Sequence, residues 1–359
     1  MGAAEDAAAG AAQRAAEGAA GGSGVAHVLR EHELVVGARV VVRHRLADGS
    51  ASDALGELTA ADGELLVVAT RRGPVRVRRA DVLAGKAVPP PPRRRGAPHE
   101  AVGVEELELV AAEHWRPDER EDLGGWRLRA AGGFTGRANS ALAVASPGVP
   151  LPQALAAVEA FYARRGLPAR VAVPHAAGAD PQGVPVAREL ARRGWAVLTP
   201  TLVLTAAVRA LAGAGAVPLP PGCSVLRAAE PDEGWLEGWL EGWRDPGGAA
   251  LPAAARRVLL SADAQVFVRV LDGGATVAVA RGSASPGWVG VSAVRVAPSH
   301  RRRGLARRLL AEVADWGRAR GATSAHLQVA EASGGARALY EGAGFGVHHA
   351  YHYRVRPAP

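Results

Sequence analysis

Residues 294–306, VRVAPSHRRRGLA, constrain the fold more than any other stretch of the chain. An apolar strand runs into a basic turn with one glycine. Leu305, Leu309, Val313 and Trp316 then mark the buried stripe of an amphipathic helix over 305–320. The start of such a helix leaves backbone N–H groups unpaired, and its dipole favours negative charge there. Gly304 and Ala306 leave room for phosphate oxygens beside the main chain. Arg301, Arg302 and Arg303 add charge-assisted donors. The segment suits a pyrophosphate-bearing ligand.

A chain of 359 residues with 48% apolar residues can bury more than one core. No apolar run reaches the ~20 residues of a membrane span, so the expectation is a cytoplasmic protein with no membrane partner. Cys223 is the single cysteine, which excludes an intramolecular disulfide and a multi-thiolate metal site. It reads as a small buried hydrophobe. The net charge is +8, and the 43 basic residues include one lysine, Lys86. Arginine in place of lysine, with abundant Ala, Gly and Pro, reflects a GC-rich genome or an acidic partner; charge alone does not decide.

Residues 1–32 are Ala/Gly-rich and read as a disordered tail without the basic start and apolar core of a secretory signal. Residues 33–88 read as short strands forming a small all-β barrel of the SH3-like kind. Val40, Val42, His44 and Leu46 share one face of the first strand, and Asp48-Gly49, Asp62-Gly63 and Arg72-Gly73 supply hairpin turns. Its basic outer face is a solvated surface or a binding surface. Residues 89–100, opening with PPPPRRR, form a stiff linker, read as a spacer or a docking patch.

Residues 101–215 and 216–359 read as two divergent copies of one α/β unit with a mixed sheet. The first has strands at 126–130, 139–144, 170–173 and 196–204, with helices at 152–165 and 186–193. The second has strands at 265–271, 276–281, 289–296, 325–329 and 347–355, with helices at 305–320 and 335–341. Helix exits match between them: FYARRG (161–166) against WGRARG (316–321). The first copy has SPGVPL (146–151) where the second has its basic turn, and Ala191 where the second has Tyr340.

Three weaker constellations remain. Trp235, Trp239 and Trp243 lie on one face of a helix capped by Asp232, as a core stripe or the wall of a pocket. Arg137 and Asn139 lie in the polar turn 133–140, as hairpin residues or as holders of a substrate carboxylate. His348 and His352 fall on one strand face with His349 opposite, and with no acidic or cysteine partner nearby they do not suggest a metal.

Arg301, Gly304 and Ala306 match the motif Arg/Gln-x-x-Gly-x-Gly/Ala of GNAT-type N-acetyltransferases. Residues 333–345, SGGARALYEGAGF, resemble the second GNAT signature, Asn-x-x-Ala-x-x-Leu-Tyr followed by Gly-Phe, with Ser333 in the usual Asn place. The resemblance implies acetyl-CoA as cosubstrate, with no metal, held by Arg301, Arg302, Arg303, Gly304, Leu305, Ala306 and Ser333. It also implies that the main chain around Val294 and Val296 pairs with pantetheine, and that Tyr340 is the general acid. A purely structural Tyr340 is the alternative. Glu331, His348, His349 or a water chain would deprotonate the amine. The first copy, lacking these residues, is expected not to bind acetyl-CoA.

The whole layout is similar to an actinobacterial N-acetylglutamate synthase family: a small barrel, a Pro/Arg linker and tandem GNAT-type units, the C-terminal one catalytic. That resemblance implies a small-molecule amine acceptor, the α-amine of L-glutamate, in arginine biosynthesis, with Arg137, Asn139 and Trp239 as candidate acceptor-site residues. Protein-lysine acetylation is a rival reading. So is a non-enzymatic acetyl-CoA sensor, with nucleic acid a less favoured partner. Oligomeric state is not legible.

Overall fold

The computed structural model describes residues 34–70, 73–88, 96–214, 218–240 and 253–356, which divide into compact units at 90/91. The tail over 1–32, the PPPPRRR stretch, Arg72 and Trp243 lie outside the described residues.

In the first unit β1 (Arg39–Arg45), β2 (Ala51–Ala61), β3 (Leu65–Thr70), β4 (Gly73–Arg78) and β5 (Val82–Ala87) form one antiparallel sheet, ordered β4-β3-β2-β1-β5. The side-chain period of two puts Val40, Val42, Leu66, Val68 and Val77 inside and turns Arg43, Arg45, Arg76 and Arg78 outward. Asp48 accepts the Ser50 N–H, and Asp62 accepts those of Glu64 and Leu65, which closes the first two hairpins. Leu46 departs from the expected buried face. It lies just past the end of β1, where the alternation stops, and is exposed.

The second unit holds one mixed sheet of eleven strands. These are β6 (Glu119–Leu123), β7 (Trp126–Ala130), β8 (Ala141–Ala143), β9 (Arg170–Ala176), β10 (Ala196–Ala207), β11 (Cys223–Ala228), β12 (Ala264–Asp272), β13 (Ala275–Ser285), β14 (Trp288–Val296), β15 (Ser324–Ala330) and β16 (Gly346–Val355). Their order is β11-β12-β13-β14-β15-β10-β16-β9-β8-β7-β6. The helices are α1 (Pro98–Ala101), α2 (Val104–Glu113), α3 (Leu151–Ala163), α4 (Pro185–Arg192), α5 (Val208–Ala214), α6 (Glu233–Leu240), α7 (Ala253–Leu259), α8 (Leu305–Arg318) and α9 (Gly334–Glu341).

The sheet does not break at 215/216. β10, from the first half of the sequence, lies between β15 and β16 of the second, and β16 pairs onward with β9. The two halves therefore interlock, which alternating strands and helices along the chain do not reveal.

Four cores flank this sheet, one of them joining Leu107, Leu142, Ala172, Val203, Tyr351 and Tyr353. Leu305, Leu309, Leu310 and Val313 of α8 pack on Val268, Ala280, Val289, Val291 and Leu327. A Cβ on Gly317 would stand 2.8 Å from Val289 Cβ, so α8 sits unusually close to β14. Phe161, Tyr162 and Leu190 fill the core of the first half. The third cluster joins Trp115, Phe134 and Ala138 to Trp235, Trp239, Val258 and Phe267. Side chains alternate along β15. Leu327 and Val329 face the α8 core, while His326 and Gln328 point to the opposite layer.

Candidate active site

β14 and β15 are parallel neighbours, paired only over Trp288–Val291 against Ser324–Leu327. Beyond Val291 they part. The cause is a bulge in β14. Its register against β13 shifts between Val279 and Arg281, and Ala293 adopts φ +55°. This splay opens a cavity of about 270 Å³ lined by Trp239, Ser292, Val294, Gln328 and Tyr340.

A larger cleft of about 910 Å³ runs from it along the turn, lined by Val294, Val296, Arg301, Arg302, Gly304, Leu305 and Ala306. Arg302 at φ +65° and Gly304 at φ +81° take left-handed conformations, which turn successive N–H groups toward one side. Gly304 is the N-cap of α8 and no side chain caps it. The first N–H groups of the helix are therefore available to an anion.

Arg303 departs from the expected set. It reaches back 3.6 Å to Asp272, which also accepts from His300 Nε2 at 3.0 Å, and it does not line the cleft. That carboxylate anchors the turn and offsets one of its three positive charges. Ser333 is also absent from the lining; it is exposed at the N-cap of α9 with no capping hydrogen bond.

Tyr340 lines both openings. It lies on α9, buried, edge-on to Phe345 at 6.0 Å, and Phe345 N–H bonds the Tyr340 carbonyl at 3.0 Å to close the helix end. Burial pushes its phenol up to about 12, so it keeps its proton at neutral pH.

The acceptor-side candidates separate. Trp239 is buried beside Trp235 and Phe134 and lines the splay cavity. Asn139 is fully used by its own loop. Its Oδ1 accepts from Ala131 and Gly133 N–H, and its Nδ2 donates to the Phe134 and Thr135 carbonyls. An amide with every site spent is a loop pin, which corrects the expectation that it holds substrate. Arg137 lines a second, water-sized cavity with Glu108, Arg129, Gln328, Tyr351 and Tyr353. Gln328 lines both this cavity and the splay.

The expected bases also separate. Glu331 is exposed and absent from both linings. His349 is fully buried with both nitrogens engaged, Nε2 to Glu108 and Nδ1 to His348 Nδ1, each at 2.8 Å. The neighbouring rings meet because the β16 register against β10 shifts at His348, which breaks the strict alternation expected there. Glu108, Arg281 and Gln328 escaped the sequence reading. Arg281 carries a signal in retrospect, a lone cation inside the apolar run VAVARGSAS.

The model of a family described as probable histone acetyltransferase Rv0428c C-terminal matches residues 102–354. The chain belongs to this family. The Rv0428c N-terminal Sm-like domain matches residues 34–86, so the first unit is Sm-like where the sequence suggested an SH3-like barrel; both are small antiparallel β folds. The probable histone acetyltransferase Rv0428c of Mycobacterium tuberculosis (strain ATCC 25618 / H37Rv) is 31% identical over 332 residues, 90% of this chain and 95% of that protein. Two solved structures share the fold of the second unit. One is a GCN5-related N-acetyltransferase from Kribbella flavida, at 20% identity and TM-score 0.52, covering 72% of this chain and 98% of that chain. The other is a tandem GNAT protein from the clavulanic acid biosynthesis pathway, at 14% identity and TM-score 0.51, covering 74% and 92%. The second unit thus has the fold of these GNAT-type structures.

Proposed function

We propose that this chain transfers the acetyl group of acetyl-CoA to the primary amine of a small molecule, with the α-amine of L-glutamate as the expected acceptor. One observation carries the reading: Tyr340 stands where the phosphate-turn cleft meets the splayed strands. The chain's own residues fit the cosubstrate. The uncapped start of α8 with Arg301 and Arg302 suits the pyrophosphate, and the open edge of β14 around Val294 and Val296 suits the amide-rich pantetheine arm. Acetyl-CoA supplies an electrophilic thioester carbonyl. A main-chain N–H in the bulged segment of β14 polarises that oxygen. As the amine nitrogen bonds to the carbonyl carbon and the carbon–sulfur bond breaks, Tyr340 Oη delivers its proton to sulfur. The proton left on the new amide nitrogen restores the phenol.

Protein-lysine acetylation is the second reading, favoured by the name of the Mycobacterium tuberculosis relative. A net charge of +8 opposes it for a basic tail. Purified protein, acetyl-CoA, an amino-acid panel and lysine peptides separate the two by thiol release. Release driven by L-glutamate supports the first reading. Release driven by lysine peptides alone overturns it.

A further inference from the structure

The layer under the splay holds more positive than negative charge. Arg281 extends from β13, fully buried, and donates from Nε to the Leu259 carbonyl at 2.7 Å and from Nη1 to the His114 carbonyl at 3.1 Å. Its Nη1 lies 3.5 Å from Ser292 Oγ, and Ser292 lines the splay cavity. Its Nη2 has no hydrogen-bond partner among the described residues. The guanidinium carbon lies 5.1 Å from the centre of the Trp115 ring, and that of Arg137 lies 5.3 Å from the same ring.

Arg137 forms no hydrogen bond or ion pair among the described residues, and its Nε is buried without a partner. Arg129 lines the same small cavity, and among the described residues its guanidinium bonds only Ser140. The one carboxylate there, Glu108, is engaged by His349. Burial, and then the Arg137 charge, pull the Arg281 guanidinium down to about 9. Buried charge without a counterion is costly, and stacking on one indole offsets only part of that cost.

We infer that Arg137, backed by Arg281 across Trp115, is the receptor for a carboxylate of the acceptor. The amine lies in the splay cavity beside Tyr340, and the carboxylate reaches past Gln328 into the cavity of Arg137 and Arg129. That cavity admits little more than one water-sized group, which suits the tip of a carboxylate and excludes a side chain. The cations also repel a lysine ammonium, so the same residues select an acidic small molecule over a basic tail. The identity of the anion as an acceptor rests on the acetyl-transfer reading; the anion site itself does not.

The test uses the full chain with coenzyme A bound and two amine-free probes, glutarate and its neutral analogue glutaramide. Calorimetry is expected to show glutarate binding, with glutaramide weaker by about tenfold or more. Arg137→Met should lower glutarate affinity by a similar factor, Arg137→Lys should restore part of it, and coenzyme A affinity should stay within about twofold. Because Arg137 makes no hydrogen bond, the Met variant is expected to fold, and an unchanged melting profile checks that. In turnover, Arg137→Met should raise the acceptor KM with kcat changed by less than about threefold. Equal binding of glutarate and glutaramide overturns the inference. So does a Met variant that binds glutarate as tightly, or chloride that competes as well as glutarate, meaning an inorganic anion only. Glutarate binding that depends on Arg137, without acetylation of any amine, leaves the site standing and removes the acetyl-transfer reading instead.

Discussion

The two halves of the second unit enter their first long helix in opposite ways. In the C-terminal half, α8 starts at Gly304 with open N–H groups, exposed Arg301 and Arg302, and a cleft in front. In the N-terminal half, α3 starts behind Pro150, also without a side-chain cap, but SPGVPL stands where the other half has its arginines, and the segment leading to it is tied to the hairpin turn before β7. Gly125 N–H bonds the Ser146 carbonyl at 2.7 Å, Trp126 Nε1 bonds the Ala145 carbonyl at 2.8 Å, and Gly124 packs on Pro147. The tyrosines differ in the same sense. Tyr162 donates its hydroxyl proton to the Arg129 carbonyl at 2.9 Å, while Tyr340 faces the cavities with its hydroxyl unpaired among the described residues. One half ties its tyrosine hydroxyl to its own chain, and the other leaves one facing a cavity.

Tyr340→Phe breaks the comparison hardest. It is expected to lower kcat by about 10²–10⁴-fold while acetyl-CoA affinity holds, whereas Tyr162→Phe should cost about 1 kcal/mol of stability and leave kcat alone. Equal turnover of Tyr340→Phe and wild type would remove the acid role. Next comes the joint change Arg301→Ala and Arg302→Ala, expected to weaken acetyl-CoA binding by roughly 2–4 kcal/mol. Arg303→Ala should weaken it by under about 1 kcal/mol, because Asp272 already engages that side chain. Calorimetric titration ranks these, and a larger loss at Arg303 would mean that it swings into the cleft.

Gly124→Ala places a Cβ 2.4 Å from Pro147 backbone atoms at φ +55°. It should cost about 2 kcal/mol in urea unfolding with acetyl-CoA affinity unchanged. Reduced affinity would show that the first half tunes the second.

A pH-dependent effect, modest near neutrality, concerns histidines that join the halves. His326 Nε2 lies 2.8 Å from His114 Nδ1, with the rings stacked. Burial, then the Arg281 charge, depress His114 from 6.5 to about 3; burial and then His114 depress His326. Between those values the unfolded chain binds a proton that the folded chain refuses. The His114 contribution to stability is thus complete above about pH 6.5 and falls toward pH 3, by about 1.4 kcal/mol per pH unit, and His326 adds a loss in the same direction. Urea midpoints unchanged from pH 7 to pH 5 would contradict this.

Most strand and helix positions were legible, because period-two runs such as VAVA and the stripe Leu305, Leu309, Val313 carry their geometry locally. The turn over 301–306 was legible for the same reason: its parts are consecutive. The layer of buried arginines was not. Arg281 and Arg137 meet only through Trp115, and Glu108 meets His349 across 241 positions of sequence. Asn139 misled because a polar side chain in a turn looks identical whether it serves a ligand or its own loop.

The strand order β15-β10-β16-β9 makes the last strand the keystone of the sheet. During synthesis the free edge of β9 has no β16 to pair with until Gly346–Val355 has been made, so the nascent chain carries an open sheet edge across all the residues between them. The closing pairings join residues far apart in sequence, a topology that goes with slow folding. Neither sequence half closes its sheet without strands of the other, so the two halves hold their shape only as one unit.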